Sequence, residues 1–156
     1  MLIREFQLGD EAGLLAVFRS AIHEIARNDY TPEQIQAWAP ASIDAGMWAK
    51  RMQSIRPFVV EADGGLLGYA DLQPGGYIDH FFVSGSCARR GIGTMLMKRI
   101  LESASSRGIS VLTSDVSRTA QPFFARFGFA VVEQRAPVIR GVVVPNALMR
   151  CEMQRT

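Results

Sequence analysis

Arg89-Arg90-Gly91-Ile92-Gly93 is the densest run of potential chemistry in the sequence. Its two cations and two glycines sit where an apolar, strand-like segment (Ile78 to Val83) gives way to a strongly periodic helix. A helix start presents N–H groups with no intrahelical partner and the positive end of the helix dipole. Glycine lets that backbone approach a ligand with no Cβ in the way. Strand, glycine turn and helix start together form an anion site, most often for phosphate. The flanking arginines suit a ligand carrying several phosphates. Two other glycine-loop chemistries fail on residue identity: a dinucleotide fingerprint needs a third glycine where Leu96 stands, and a P-loop needs Gly-Lys-Ser/Thr, which the chain lacks. A plain strand-to-helix turn with solvent-facing arginines is the bland alternative for this loop taken alone.

Immediately upstream, Asp79 and His80 are of the right type to accept a proton, with Asp115 as a weaker candidate on a later strand. Strand alternation puts Asp79 on the face of Tyr77 and His80 on the opposite face unless a bulge intervenes. An ordinary structural carboxylate is the competing reading of Asp79. Metal chemistry is not expected. His23-Glu24 lacks the second histidine of a zinc motif, because position 27 is Arg27, and His23 and His80 are the only histidines.

These residues need a scaffold, and the pattern supplies one. Leu2 to Phe6 reads as a first strand, and Asp10 as the cap of a helix with Leu14, Phe18, Ala21, Ile22 and Ile25 at helical spacing. Thr31-Pro32-Glu33-Gln34 has the form of a capping box opening a short helix through Trp38, and a third helix covers about Ile43 to Gln53. Trp38 and Trp48 are candidates to wall an acceptor pocket, against the commoner reading of packing residues. Arg56 to Ala62 and Leu66 to Leu72 read as strands around the Asp63-Gly64-Gly65 turn, and Pro74-Gly75-Gly76 turns into the strand before the glycine loop. Ile92, Leu96, Ile100 and Leu101 mark one face of a helix ending near Gly108. Val111 to Val116 follows as a strand in parallel crossover, and Val142 to Met153 reads as the last strand.

The glycine loop and the preceding strand resemble the acetyl-CoA pyrophosphate loop of the GCN5-related N-acetyltransferase (GNAT) family. The family pattern is Gln or Arg, two residues, Gly, one residue, then Gly or Ala. Here it falls on Ala88-Arg89-Arg90-Gly91-Ile92-Gly93, with alanine in the opening place and Val83 eight residues ahead of Gly91. A second match, Ala120 to Phe129, resembles the family's closing helix, with Gly128 as the glycine that ends it. The Asp29-Tyr30-Thr31-Pro32 and Trp38-Ala39-Pro40 runs look like a bacterial subgroup. The resemblance implies a mixed α+β fold, with a central sheet of six to seven strands and helices on both faces. It also implies one N-acetyltransferase domain over residues 1–156.

By the same resemblance, pantetheine contacts fall on Phe81, Phe82 and Val83. Pyrophosphate contacts fall on Arg89, Arg90, Gly91, Ile92, Gly93 and Thr94, and Ser117, Phe123 and Phe124 lie beside the arm. The implied reaction is direct attack of an amine on acetyl-CoA, with the oxyanion held by a backbone N–H near Val83. Family members often carry a glutamate where Tyr77 stands, which leaves Asp79 or His80 as base. The usual tyrosine acid is replaced by Phe124, so Ser117, Tyr30 and Tyr77 are the hydroxyls left as donors. A non-catalytic acyl-CoA sensor is the alternative function.

Composition bounds the rest. A chain of 156 residues suits one domain, given roughly 100–200 residues for each. A net charge of +2 gives no reason to expect nucleic acid, and an anionic cofactor accounts for the mild excess. Two cysteines make no disulfide framework, and free thiols suit a reducing cytoplasm. The amino terminus has no signal-like apolar run, and no segment is long enough to cross a bilayer. The expected partner is a small-molecule or peptide amine, with no nucleic acid and no membrane. A homodimer stays open, as does the identity of the amine.

Overall fold

The central strands are apolar on both sides, and this dictates two cores rather than one. In the computed structural model, which describes residues 1–87 and 90–154, β1 (Leu2–Glu5), β2 (Phe58–Ala62) and β3 (Gly65–Ala70) form an antiparallel meander. Phe58, Val60 and Ala70 face a core closed by α4 (Ile92–Ser106) and α5 (Gln121–Arg126). Val59 and Tyr69, one step out of phase, face a second core closed by α1 (Glu11–Ser20), α2 (Pro32–Trp38) and α3 (Ala45–Ile55). Period-2 alternation on β2 and β3 thus matches helices on both faces.

The sheet is split at its middle. A short β4 (Tyr77–Ile78) runs parallel to β6 (Val111–Ser117), pairing Tyr77 with Thr113 and Ile78 with Ser114. Its continuation β5 (Phe81–Val83) instead runs antiparallel to β3, pairing Phe81 with Ala70 and Val83 with Gly68. Beyond β6, the sheet adds β10 (Asn146–Glu152) and the edge strand β7 (Ala130–Arg135). Counting β4 and β5 as one crossing gives seven strand positions, in the order β1, β2, β3, β5/β4, β6, β10, β7. This is the mixed sheet expected from the sequence.

Three local expectations change. Asp10 precedes α1 but gives the helix no side-chain cap; its carboxylate pairs with Arg4 at 2.8 Å and accepts the Gln7 N–H at 2.8 Å. The apolar stripe from Leu14 to Ile25 is not one regular helix, because α1 widens into a π turn at Ala21–Ile25 and tightens at Ala26–Asn28. The strand expected from Val142 is interrupted: β8 (Val138–Ile139) and β9 (Val142–Val143) form a hairpin, and β10 begins after Pro145. Proline has no N–H to give a ladder, so a break there follows from its chemistry. The capping box forms as expected, Thr31 Oγ1 accepting from the Gln34 N–H at 3.2 Å and Gln34 Oε1 from the Thr31 N–H at 2.9 Å. Among the described residues no helix is long and apolar enough to cross a membrane.

Candidate active site

Between β4 and β5 the strand carries one residue too many for its partner. The Asp71 N–H donates to His80 O at 3.1 Å and the Gln73 N–H to Tyr77 O at 2.9 Å, so two residue steps face three. The surplus is taken up as a bulge at Asp79-His80. Simple alternation therefore fails here. Asp79 pairs with Arg51 of α3, and His80 packs on Trp48 of the same helix at 5.8 Å between ring centroids. Both side chains thus lie on one face, where the regular reading placed them on opposite faces.

The bulge also divides the backbone. With the Ser84 N–H donating to Leu67 O at 2.8 Å, the polar groups of Phe82 face β3. Those of Phe81 and Val83 turn to the opposite edge, into the gap that opens between β5 and β6.

Two cavities meet at this gap. The smaller, about 360 Å³, is bounded by Phe81, Phe82 and Val83 on one side and by Gly91, Ile92, Gly93 and Thr94 on another. Gly91 caps α4 at φ +80°, a left-handed conformation open to glycine. The first N–H groups of α4 are thereby left for a ligand. A Cβ on Gly93 would stand 3.3 Å from Phe123, so glycine is what lets α4 approach that ring. Ser117 and Phe123 line this cavity, and Phe124, 1% exposed, packs behind against Phe81 and Phe129. Arg90 stands beside the cavity, its guanidinium 3.8 Å from Cys87 Sγ. Arg89 lies outside the described residues.

The larger cavity, about 690 Å³, opens on the other side of Phe81, Phe82, Trp38 and Ser117, which line both. Its polar wall is acidic and internally paired. Asp79 is held by Arg51, and Asp115 accepts from the Tyr77 hydroxyl at 2.7 Å and pairs with Arg135 at 2.9 Å. Burial, with the hydrogen bond to Asp115 and its charge adding to it, pushes the Tyr77 phenol well above its ordinary range. His80 lines neither cavity. It sits among Phe18, Trp48, Tyr69 and Phe82 with Nδ1 3.0 Å from the Tyr69 hydroxyl and Nε2 3.5 Å from Asp79 Oδ2. Burial lowers its pKa to about 4, so the ring is neutral near pH 7. Trp38 lines both cavities, whereas Trp48 is a packing residue, 8% exposed with Nε1–H donating to Glu11 O at 2.8 Å. The Tyr30 hydroxyl is already engaged, accepting the Arg118 N–H at 2.9 Å and donating to Pro145 O.

Two residues at the site escaped the sequence reading. Arg126 lines the smaller cavity with its guanidinium 5.5 Å from the Phe123 ring centroid. Its only signal was a cation two residues before Gly128. Asp71, fully buried, accepts the N–H groups of both Asp79 and His80 on Oδ1, at 2.8 and 2.7 Å. An acid inside the apolar run Tyr69-Ala70-Asp71-Leu72 was the available clue.

Known proteins share this fold. The family profile described as "Acetyltransferase (GNAT) domain" matches residues 26–144. The chain is 36% identical to the uncharacterized N-acetyltransferase YafP of Escherichia coli (strain K12), over 97% of this chain and 96% of that one. Its fold superposes on a GCN5-related N-acetyltransferase from Rhodopseudomonas palustris with a TM-score of 0.91 and 29% identity, covering 97% and 94% of the two chains. It also superposes on the PaiA N-acetyltransferase of Thermoplasma acidophilum, solved with coenzyme A, at TM-score 0.75 and 18% identity over 97% and 98%. A family profile spanning most of the residues and a relative aligned almost end to end agree: the chain belongs to the GCN5-related N-acetyltransferases and transfers an acetyl group from acetyl-CoA to an amine acceptor.

Proposed function

We propose that the smaller cavity holds acetyl-CoA and the larger one the amine, with the transferred acetyl group at the gap between β5 and β6. The observation that carries this reading is the junction itself. Phe81, Phe82 and Ser117 border both spaces, with the free start of α4 on one side and the carboxylates of Asp79 and Asp115 on the other. In this reading the N–H groups of Ile92, Gly93 and Thr94, with Arg90 and Arg89, hold the pyrophosphate. The outward backbone groups of Phe81 and Val83 bind the pantetheine as an added strand would be bound. Phe123 forms the apolar wall of the arm, backed by Phe124, which borders the larger cavity.

The amine lone pair attacks the thioester carbon, the new C–N bond forms, and the tetrahedral oxyanion is held by the Val83 N–H. Collapse breaks the C–S bond and releases the CoA thiolate. The amine proton passes to Asp79, directly or through one water, because Asp79 lines the acceptor cavity and His80 stands behind it. No hydroxyl is assigned as an indispensable acid. The Tyr30 and Tyr77 hydroxyls are committed elsewhere and Phe124 has none; Ser117, whose Oγ accepts the Ala120 N–H at 3.2 Å, keeps its own proton and is the one hydroxyl of these free to assist. A thiol of pKa about 8.5 leaves tolerably as thiolate and takes its proton from water.

We read the whole chain as one such domain. Its acceptor would be a small amine or a peptide terminus. A cytoplasmic setting agrees with two buried free thiols. A second copy could add along β7, whose six residues are all exposed. The test is thiol release from acetyl-CoA over a panel of small amines and peptides, beside calorimetric CoA binding. Turnover on one class with micromolar CoA binding is expected. CoA binding without turnover on any amine would favour a binding-only role.

A further inference from the structure

Among the buried charges, Asp71 touches neither cavity, yet its environment is built in detail. The residue is 0% exposed. Two consecutive backbone N–H groups, those of Asp79 and His80, converge on its Oδ1 at 2.8 and 2.7 Å, and Gln73 Nε2 donates to Oδ2 at 3.2 Å. In a regular antiparallel ladder a main-chain carbonyl would meet one of these donors, and the other would face away. The extra residue of the bulge leaves both pointing toward β3 with no carbonyl in register. Leaving such donors unpaired in the interior is costly, because their bonds to water are lost with nothing in return.

We propose that Asp71 is a positioning residue for acetyl transfer: its carboxylate replaces the missing ladder carbonyl, fixes the Asp79-His80 bulge, and thereby aims the Asp79 carboxylate into the acceptor cavity. The geometry explains why a charge is tolerated there. A carboxylate oxygen accepts two N–H bonds at charge-assisted strength. Shortening the side chain by mutation would leave the bulge free to relax toward regular alternation, and Asp79 would lose its fixed direction.

The groups facing Asp71 are few. Asp79 and His80 lie opposite, Tyr69 is on its own strand, Arg51 reaches Asp79 from α3, and Arg107 at the end of α4 donates to Leu72 O at 3.2 Å. Burial raises the Asp71 pKa to about 6, with the Asp79 charge adding to the rise and the N–H bonds opposing it. The side chain is thus ionised at neutral pH and titrates where it can be watched.

Two measurements test this, and only the second rests on the acetyl-transfer reading. In amide NMR of the wild-type chain, the Asp79 and His80 N–H signals should move together through a step near pH 6. Asp71→Asn should abolish that step. Static signals, or a step that persists in the variant and so belongs to Asp79 or His80, would overturn the proposal. In steady-state assays, Asp71→Ala should lower kcat by about tenfold or more, from the loss of two buried acceptor contacts. The dissociation constant for CoA should change by less than about threefold. Asp71→Asn, which keeps one acceptor oxygen, should recover more than half of that loss on a logarithmic scale. Wild-type kcat in Asp71→Ala, or no recovery in Asp71→Asn, counts against the role. If Asp71→Ala does not fold, or if no amine is ever turned over, the amide titration decides alone.

Discussion

At the scale of single residues, the chemistry turns on which of two neighbours takes the proton. Asp79 borders the larger cavity and is oriented by Arg51; His80 is enclosed by four aromatic rings and held neutral, with one ring nitrogen against Tyr69. The His80 imidazole lines neither cavity, so it has no open path to an amine bound in either. Asp79→Asn is therefore expected to lower kcat by about a hundredfold or more, the usual reach of a lost general base. It should also remove a limb of the pH–rate profile while leaving CoA affinity unchanged. His80→Gln should cost less than about tenfold, because it disturbs packing and the Tyr69 bond but not the acceptor itself. The reverse ranking would move the base assignment to His80. Equal wild-type rates in both would mean that the amine binds already deprotonated.

At the scale of elements, the glycine loop is where sequence and structure agree best, and the reason is physical. A left-handed cap and a close helix approach both demand glycine, so the demand is written in residue type. Gly91 needs its φ of +80°, and Gly93 leaves room for Phe123. Gly91→Val is expected to raise the CoA dissociation constant about tenfold or more, from strain of roughly 1–2 kcal/mol in the left-handed region plus a lost backbone approach. Binding of a pantetheine fragment without the pyrophosphate should change little, and equal losses for both ligands would mean general damage to the fold. Gly93→Val is the poorer probe, since it displaces a ring that lines the smaller cavity. The capping box at Thr31, the strand pair around the Asp63-Gly64-Gly65 turn, and the parallel crossover into β6 were equally legible, because each follows from local residue type and spacing. The bulge was not. Asp79 and His80 show two polar residues in an apolar run, and nothing local says that a carboxylate eight residues earlier holds them on one face. The widened turn after α1 was missed for the same reason: tertiary packing, not periodicity, decides it.

At the scale of the whole molecule, two buried groups, the His80 imidazole and the Asp71 carboxylate that accepts the His80 backbone N–H, push acid stability in opposite directions. His80 has its pKa lowered from 6.5 to about 4 by burial, so the unfolded chain takes up its proton first. That group's contribution is intact above pH 6.5 and is lost as the pH falls toward 4. Asp71 has its pKa raised from 3.8 to about 6, again chiefly by burial, so the folded chain takes up its proton first. Its contribution is fully present below pH 3.8 and is lost as the pH rises through 6. Each is worth about 3 kcal/mol by linkage. Over the shared window from roughly pH 6 to pH 4 the two nearly cancel, and the pair contributes an almost flat stability profile. Removing either should expose the other. Relative to wild type, Asp71→Asn should lose stability on acidification through this window, and His80→Gln should gain it. Urea melts at pH 6.5, 5 and 4 would read the effect as opposite changes in midpoint. Parallel profiles for both variants and wild type would show that neither group carries the shift that its burial implies.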